Sequence, residues 1–310
     1  MFPDIYLNAI ENYVSNKSLK SLSDSFKKLS QGYRTLNNSE LGSSKEDVEA
    51  YLVGRLPVTW SVLTHLLRQI SLYLPEHFSV LDYGSGPGTA LLALDHLFES
   101  KRFSYLGLEA KKPMLNAAEA LNESLNLKGT FKQHDVNKEG LQKATLAIVS
   151  YLLNELPQQE HFFNHLLNQH EFILLIEPGT PDGYSRLMNL RNKAMASNWH
   201  ILAPCPHAKS CPLVHPDWCH FYVRVQRNKL LKDIKGGSMG YEDEKFSYLF
   251  LSRTLYENHR GVVIKKPDVY PYKVELEVCS FSGQIEKKEI LKKEKELFKK
   301  AKKTDWGDFI

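Results

Sequence analysis

Residues 80–94 read VLDYGSGPGTALLAL. An apolar run ends at Asp82, Gly84, Gly86 and Gly88 follow, and an alanine–leucine stretch then begins. That order is a strand, a tight turn and the start of a helix. Glycines at such a turn let the backbone bend sharply and come close to a ligand. The spacing is GxGxG, with Thr89 where the dinucleotide fingerprint carries its third glycine, so a dinucleotide fits poorly.

Working outward, short apolar runs alternate with helical stretches. FSVLDY (78–83), FSYLGLE (103–109), GTFKQHD (129–135), TLAIVSY (145–151) and FILLIEP (172–178) read as strands. TALLALDHLF, MLNAAEALNESL and QQEHFFNHLLNQ between them read as helices. This β/α alternation predicts a doubly wound parallel sheet. KFSYLFLSR (245–253) and KVELEVCSF (273–281) are expected to complete it as an antiparallel edge. Residues 1–75 read as a helical region, with Leu63, Leu66, Leu67 and Ile70 at helical spacing. Arg55 reads as one half of a surface salt bridge.

The second strand ends in an acid, Glu109, placed to accept hydrogen bonds from ribose hydroxyls. Asp135, after the third strand, is placed to meet the exocyclic amine of an adenine. With Asp82, Gly84, Gly86 and Gly88 these resemble the S-adenosylmethionine site of class I methyltransferases. The expected fold is therefore α/β: a class I (Rossmann-like) methyltransferase fold with an N-terminal helical region and a Cys-rich insertion. The competing reading is a glycine turn that binds nothing. Methyl transfer itself is less legible. After the fourth strand the chain reads SYLLNELPQQE; Asn154, Glu155 and Pro157 are present, but the Asn/Asp-Pro-Pro-aromatic acceptor segment is not. Glu155 suits a helix start better than a base, and no catalytic residue is assigned.

The chain has four cysteines: Cys205, Cys211, Cys219 and Cys279. Three lie together in APCPHAKSCPLVHPDWCHF, which does not suit a disulfide framework spread over a small domain. Segment 200–244 holds Pro204, Pro206, Pro212 and Pro216 and reads as an insertion organised by cysteines. A nucleophilic role for Cys205, after Pro204, leaves the other three thiols unexplained. Structural zinc, with His207, His215 and His220 as reserves, lacks the short C-x2–4-C knuckle, because the spacing is C-x5-C-x7-C-x59-C. A [4Fe–4S] cluster tolerates that spacing, and Pro206 and Pro212 directly follow cysteines. Cluster and zinc both remain open on spacing.

The bulk numbers are those of an ordinary globular chain. It has 310 residues, 42% apolar and 25% charged, with a net charge of +4, so charge alone does not prove a nucleic-acid partner. Locally, HFYVRVQRNKLLKDIKGG interleaves His220, Arg224, Arg227, Lys229, Lys232 and Lys235 with Phe221 and Tyr222, a pattern suited to phosphate and unstacked bases. Residues 285–303 hold nine lysines against four glutamates, a basic tail or a solvated helix face. The expected division is 1–75 helical, 76–284 methyltransferase-like core with the 200–244 insertion, and 285–310 basic tail. No apolar run reaches the roughly 20 residues of a membrane span. The N-terminus, MFPDIYLNAIENYV, carries neither a secretory signal nor an Arg-rich leader. It predicts a bacterial-type cytoplasmic protein, with the mitochondrial matrix disfavoured.

The chain resembles the mitochondrial small-ribosomal-subunit methyltransferase-like family, which includes methyltransferase-like protein seventeen and bacterial relatives. The resemblance is carried by YLVGRLPVTWSVL, VLDYGSGPGTAL, LIEPGTPDGY, ILAPCPHAKSCPL, DWCHFYVRVQR, FSYLFLSR and KKTDWGDF. It implies a [4Fe–4S] cluster on Cys205, Cys211, Cys219 and Cys279 and a methyl-donor site at Asp82, Gly84, Gly86, Gly88 and Glu109. It also implies small-subunit ribosomal RNA as the partner, in ribosome biogenesis or translation. Outside the ribosome a monomer is expected. Both an S-adenosylmethionine-dependent rRNA methyltransferase and a non-catalytic assembly factor that keeps the donor pocket fit the resemblance. A zinc-stabilised RNA-binding protein is the further alternative.

Overall fold

The computed structural model describes residues 1–34, 42–137, 142–157, 159–214, 216–236, 239–256 and 260–310. His215 lies outside the described residues. The chain divides into two compact units, residues 1–170 with 223–244, and residues 171–222 with 245–310.

The first unit begins with four helices, α1 (Asp4–Tyr13), α2 (Leu19–Arg34), α3 (Lys45–Gly54) and α4 (Leu56–Ile70). Ser44 caps α3 by accepting the Asp47 N–H, which satisfies one of the donors a helix start leaves open. α4 buries Val62, Leu63, Leu66, Leu67 and Ile70. That is the apolar stripe expected from its helical spacing. Then follow β1 (Phe78–Tyr83), α5 (Thr89–Leu97), β2 (Phe103–Glu109), α6 (Lys112–Ser124), β3 (Gly129–Gln133), β4 (Ala144–Ser150) and α7 (Gln159–Gln169). The four strands pair in the order β3-β2-β1-β4 and all run parallel. β1 is buried along nearly its whole length, as a central parallel strand covered on both faces should be. Asp82 stands opposite Gly107 on one side and Ile148 on the other. The strand order reverses at β1, and ligands of open α/β sheets bind outside the strand ends at such a point.

The second unit holds β5 (His170–Pro178, after its first residue), α8 (Pro181–Ala196) and β6 (His200–Ala203). β7 (Phe221–Gln226) and β8 (Tyr241–Ser252) have residues in each unit, and α9 (Lys229–Lys235) belongs to the first. β8 runs antiparallel between β5 and β6, as expected for KFSYLFLSR. KVELEVCSF does not join that sheet. It forms β11 (Lys273–Cys279) of a separate sheet with β9 (Val262–Val263), β10 (Asp268–Val269) and β12 (Ile285–Leu291). The start of the lysine-rich tail is thus a strand. Seven residues of β11 pair with seven of β12, and Val274, Leu276 and Val278 pack with Ile290 and with Phe298 of α10 (Lys295–Ala301). Apolar alternation in β11 and one core residue in β12 were enough to build a local core under a charged face.

Candidate functional site

The first unit gathers its polar groups at the end of β1. Gly84, Gly86 and Gly88 all have positive φ, at 67°, 54° and 82°, where a side chain is strained. A Cβ on Gly88 would meet Phe131 at 2.9 Å, and one on Gly84 would meet Leu152 at 2.9 Å. A Cβ on Gly86 would meet nothing within 4 Å. Two glycines therefore serve packing, and the middle one faces open space.

Glu109, buried at the end of β2, fastens this loop. Its Oε2 accepts the Gly86 N–H at 2.9 Å and its Oε1 accepts the Lys111 N–H at 2.8 Å. Burial raises its pKa, the two backbone donors hold it back, and Glu155 adds to the rise. Asp82 is 1% exposed and accepts the Tyr105 hydroxyl at 2.6 Å. Its second oxygen has no partner among the described atoms. Burial pushes Asp82 up to about 7, Tyr105 opposes that in part, and Glu109 adds to it. Ser85 Oγ and Thr89 Oγ1 are also buried without a hydrogen-bond partner among the described atoms. Asp135 lies past β3 and accepts both nitrogens of Asn137, at 3.0 and 2.9 Å.

Behind β4, Tyr151 has φ 58°, a left-handed conformation that costs a non-glycine residue about 1–2 kcal/mol. Sequence reading missed it, since nothing in SYLLNELP marks that turn. Glu155 is tied to Lys111 at 3.0 Å, so it neither caps a helix alone nor stands ready as a base. Arg55 pairs with Glu244 at 3.0 Å and is only partly exposed. Burial works against its charge, and Glu244 and Tyr151 outweigh it.

In the second unit all four cysteines line one cavity, with Tyr184 and Arg191 of α8. The chain reaches it from three directions: the loop after β6 brings Cys205 and Cys211, the residues before β7 bring Cys219, and β11 brings Cys279. Cys279 stands opposite Val262 and Ile285, which also line the cavity. All four thiols are free. Tyr184 donates its hydroxyl to Cys211 Sγ at 3.2 Å, and His207 Nε2 lies 3.5 Å from Cys279 Sγ. Burial raises the pKa of Cys219 well above the usual thiol value, reinforced by the other three cysteines. Burial likewise pushes Cys279 up to about 12. Cys205 is raised by burial and held back by the Arg191 guanidinium. Among the described residues, no three His, Cys, Asp or Glu side chains are grouped to hold a single metal ion.

The basic stretch after Cys219 is largely spoken for. Arg224 makes two bonds to Asp243, at 2.8 and 2.9 Å, and lies over the Tyr241 ring. Arg227 and Lys235 share Glu242, at 2.9 and 2.6 Å. Lys229 is exposed. α9 buries Leu231 and Ile234 and packs on α2 and α3. Tyr222 donates to Asp305, and Trp306 packs on His220 at 4.6 Å. These aromatics anchor the chain's end.

A parallel sheet with a reversal at β1, and a buried acid fastening a glycine loop there, define a protein of the class I methyltransferase fold. Residues 45–310 match the family described as mitochondrial small ribosomal subunit Rsm22, and the chain belongs to that family. It is 23% identical over 290 residues to the mitochondrial ribosome assembly protein METTL17 of Homo sapiens, covering 84% of this chain and 61% of that one. It is 34% identical over 101 residues to the carboxy-S-adenosyl-L-methionine synthase of Desulfotalea psychrophila (strain LSv54 / DSM 12343), covering 32% of this chain and 41% of that one. The chain thus spans less than two thirds of the length of these curated relatives. A magnesium protoporphyrin IX methyltransferase from Synechocystis PCC 6803, solved with bound S-adenosylmethionine, covers 63% of this chain and 80% of its own at 13% identity and a TM-score of 0.41.

These matches correct the location expected from the N-terminus. The family and METTL17 are both named mitochondrial, which points to the mitochondrion rather than a bacterial cytoplasm. A leader is a removable segment, and residues 1–14 say nothing of where the folded chain works. No helix among the described residues is long and apolar enough to cross a membrane.

Proposed function

We propose that this protein acts in small-ribosomal-subunit assembly, binds S-adenosylmethionine at the glycine loop and holds a [4Fe–4S] cluster on its four cysteines. The observation that carries the first part is the end of β1. Open space over Gly86 lies beside buried Asp82 and Glu109, so the amino-acid end of the donor can lie across the loop. A carboxylate offers about four acceptor sites, and Glu109 uses one on each oxygen for backbone donors, which leaves room for ribose hydroxyls. Asp135 is the group proposed for the adenine amine.

For the metal, the donor set is the argument. Cys205, Cys211, Cys219 and Cys279 all line one cavity as free thiols. Four thiolates suit a [4Fe–4S] cluster or a zinc ion, and the prolines that directly follow Cys205 and Cys211 favour the cluster. When bound, the cluster would supply a folding crosslink or a one-electron couple. The chain's own part is to gather the thiolates, surround them with Tyr184 and Arg191, and exclude water.

Methyl transfer to ribosomal RNA is the second reading. The strained Tyr151 favours it, since such conformations cluster at functional sites. Against it, Glu155 is engaged by Lys111. Incubating the purified protein and labelled S-adenosylmethionine with small subunits from cells lacking it separates the two. Assembly without catalysis predicts donor binding and subunit binding with no label in RNA. Stoichiometric label in RNA would establish the enzyme. A protein that binds neither donor nor subunit would end both readings.

A further inference from the structure

Among the described residues Arg191 is the largest fully buried side chain, at 1% exposure. It lies on α8 and lines the cavity of the four cysteines. Its Nη2 donates to two backbone carbonyls, His207 at 3.0 Å and Lys209 at 2.7 Å. Both carbonyls belong to the loop between Cys205 and Cys211. Its Nε and Nη1 are buried and have no acceptor among the described atoms.

A buried guanidinium is costly unless an opposite charge compensates it. Arginine stays protonated, so the cavity must supply that charge. No carboxylate is among the residues lining the cavity; its titratable lining besides Arg191 is Tyr184, Tyr248, His207 and the four cysteines. Of these the cysteines are the groups that ionise on binding a metal, so thiolates provide it. A centre held by four thiolates carries net negative charge, which a fixed cation nearby offsets.

We infer that Arg191 is the buried counter-cation of the thiolate centre and the peg that fixes the loop between its first two ligands. It is a positioning residue, acting through the cysteines. The inference rests on the proposed metal–thiolate centre, but not on whether the metal is iron or zinc. Tyr184 acts alongside it, its hydroxyl on Cys211 being a second, neutral donor to sulfur. Hydrogen bonds and charges around the sulfurs are the levers by which a protein tunes such a centre.

The test compares full-length wild type with Arg191→Lys, Arg191→Gln and Arg191→Met after anaerobic reconstitution with iron and sulfide, and with zinc in parallel. Circular dichroism checks the fold. Two quantities are read: the rate of metal loss to a chelator, and, for the iron form, the midpoint potential against dithionite. Losing the cation destabilises the more negative state. The Gln and Met variants should therefore shift the one-electron reduction equilibrium about tenfold toward the oxidised form, about 59 mV more negative. They should also lose metal roughly 10–100-fold faster. Arg191→Lys, which keeps the charge, should recover most of the potential but less of the loop anchoring. If wild type takes zinc and no iron, the cluster reading falls, and the chelator rates still decide the role of Arg191. Gln and Met variants that fold, hold metal as long as wild type and show its potential would overturn the inference. So would a wild type that binds neither metal. Should Met fail to fold, Gln, which retains a donor for the carbonyls, decides.

Discussion

The glycine loop and the cysteine cavity are built on opposite principles. The loop is almost self-sufficient: Glu109 satisfies backbone donors, and Gly84 and Gly88 are filled by Leu152 and Phe131. The cavity gathers four thiols, of which Cys205, Cys219 and Cys279 are pushed toward neutrality by burial, beside an arginine with buried donors unmet. A preformed backbone cradle loses little when its ligand leaves. A cavity of half-buried thiols around a buried cation depends on what it binds for part of its stability.

That contrast is broken or sharpened most strongly by Cys279→Ser. With the metal bound, thermal melting should show the second unit weakened by on the order of 3 kcal/mol or more. The same substitution in chelator-treated protein should be nearly silent, and an equal loss in both would erase the contrast. Glu109→Ala comes next. Deleting a charged acceptor of two backbone donors should cost about 2–3 kcal/mol in donor affinity, read by calorimetry, with a smaller loss in stability.

Asp82 gives a pH test. Its folded pKa, about 7, lies above the ordinary 3.8, so between those values the folded chain holds a proton that the unfolded chain has released. Stability from this group is fully present below the lower value and is lost as pH rises through the upper one. Asp82→Asn should therefore stabilise the fold at pH 8 by on the order of 1–3 kcal/mol, read as a raised melting temperature, and the gain should fade toward pH 4. A gain that grows as pH falls would reverse the assignment. The smallest effect is expected at the exposed Arg224–Asp243 pair. Arg224→Ala should cost about 0.2–1 kcal/mol, less at high salt.

The same contrast explains what was legible in the sequence. The loop is contiguous, and its strand, turn and helix are local, so FSVLDY and FSYLGLE matched β1 and β2 residue for residue. The cavity is assembled from distant segments, and only the rarity of cysteine hinted that Cys279 meets the rest. β12 was misread as part of a tail because IEKKEIL carries too many charges to show its alternation. Its pairing with β11 supplies what its own pattern lacks. The basic run from His220 to Lys235 was read as suited to a nucleic acid because its acidic partners, Glu242 and Asp243, come only after the run has ended in the sequence. Arg191 was not singled out in the sequence. A signal existed: it lies among Leu187, Leu190 and Ala194, the buried face of α8, where a charge needs a reason.

The central claim is that the cysteine cavity holds an iron–sulfur centre, and metal analysis of anaerobically purified protein tests it most directly. The account predicts a brown protein with about four iron and about four sulfide per chain, both lost when Cys205, Cys211 and Cys219 are changed together to serine. Colourless protein with stoichiometric zinc, or with no metal at all, would contradict it.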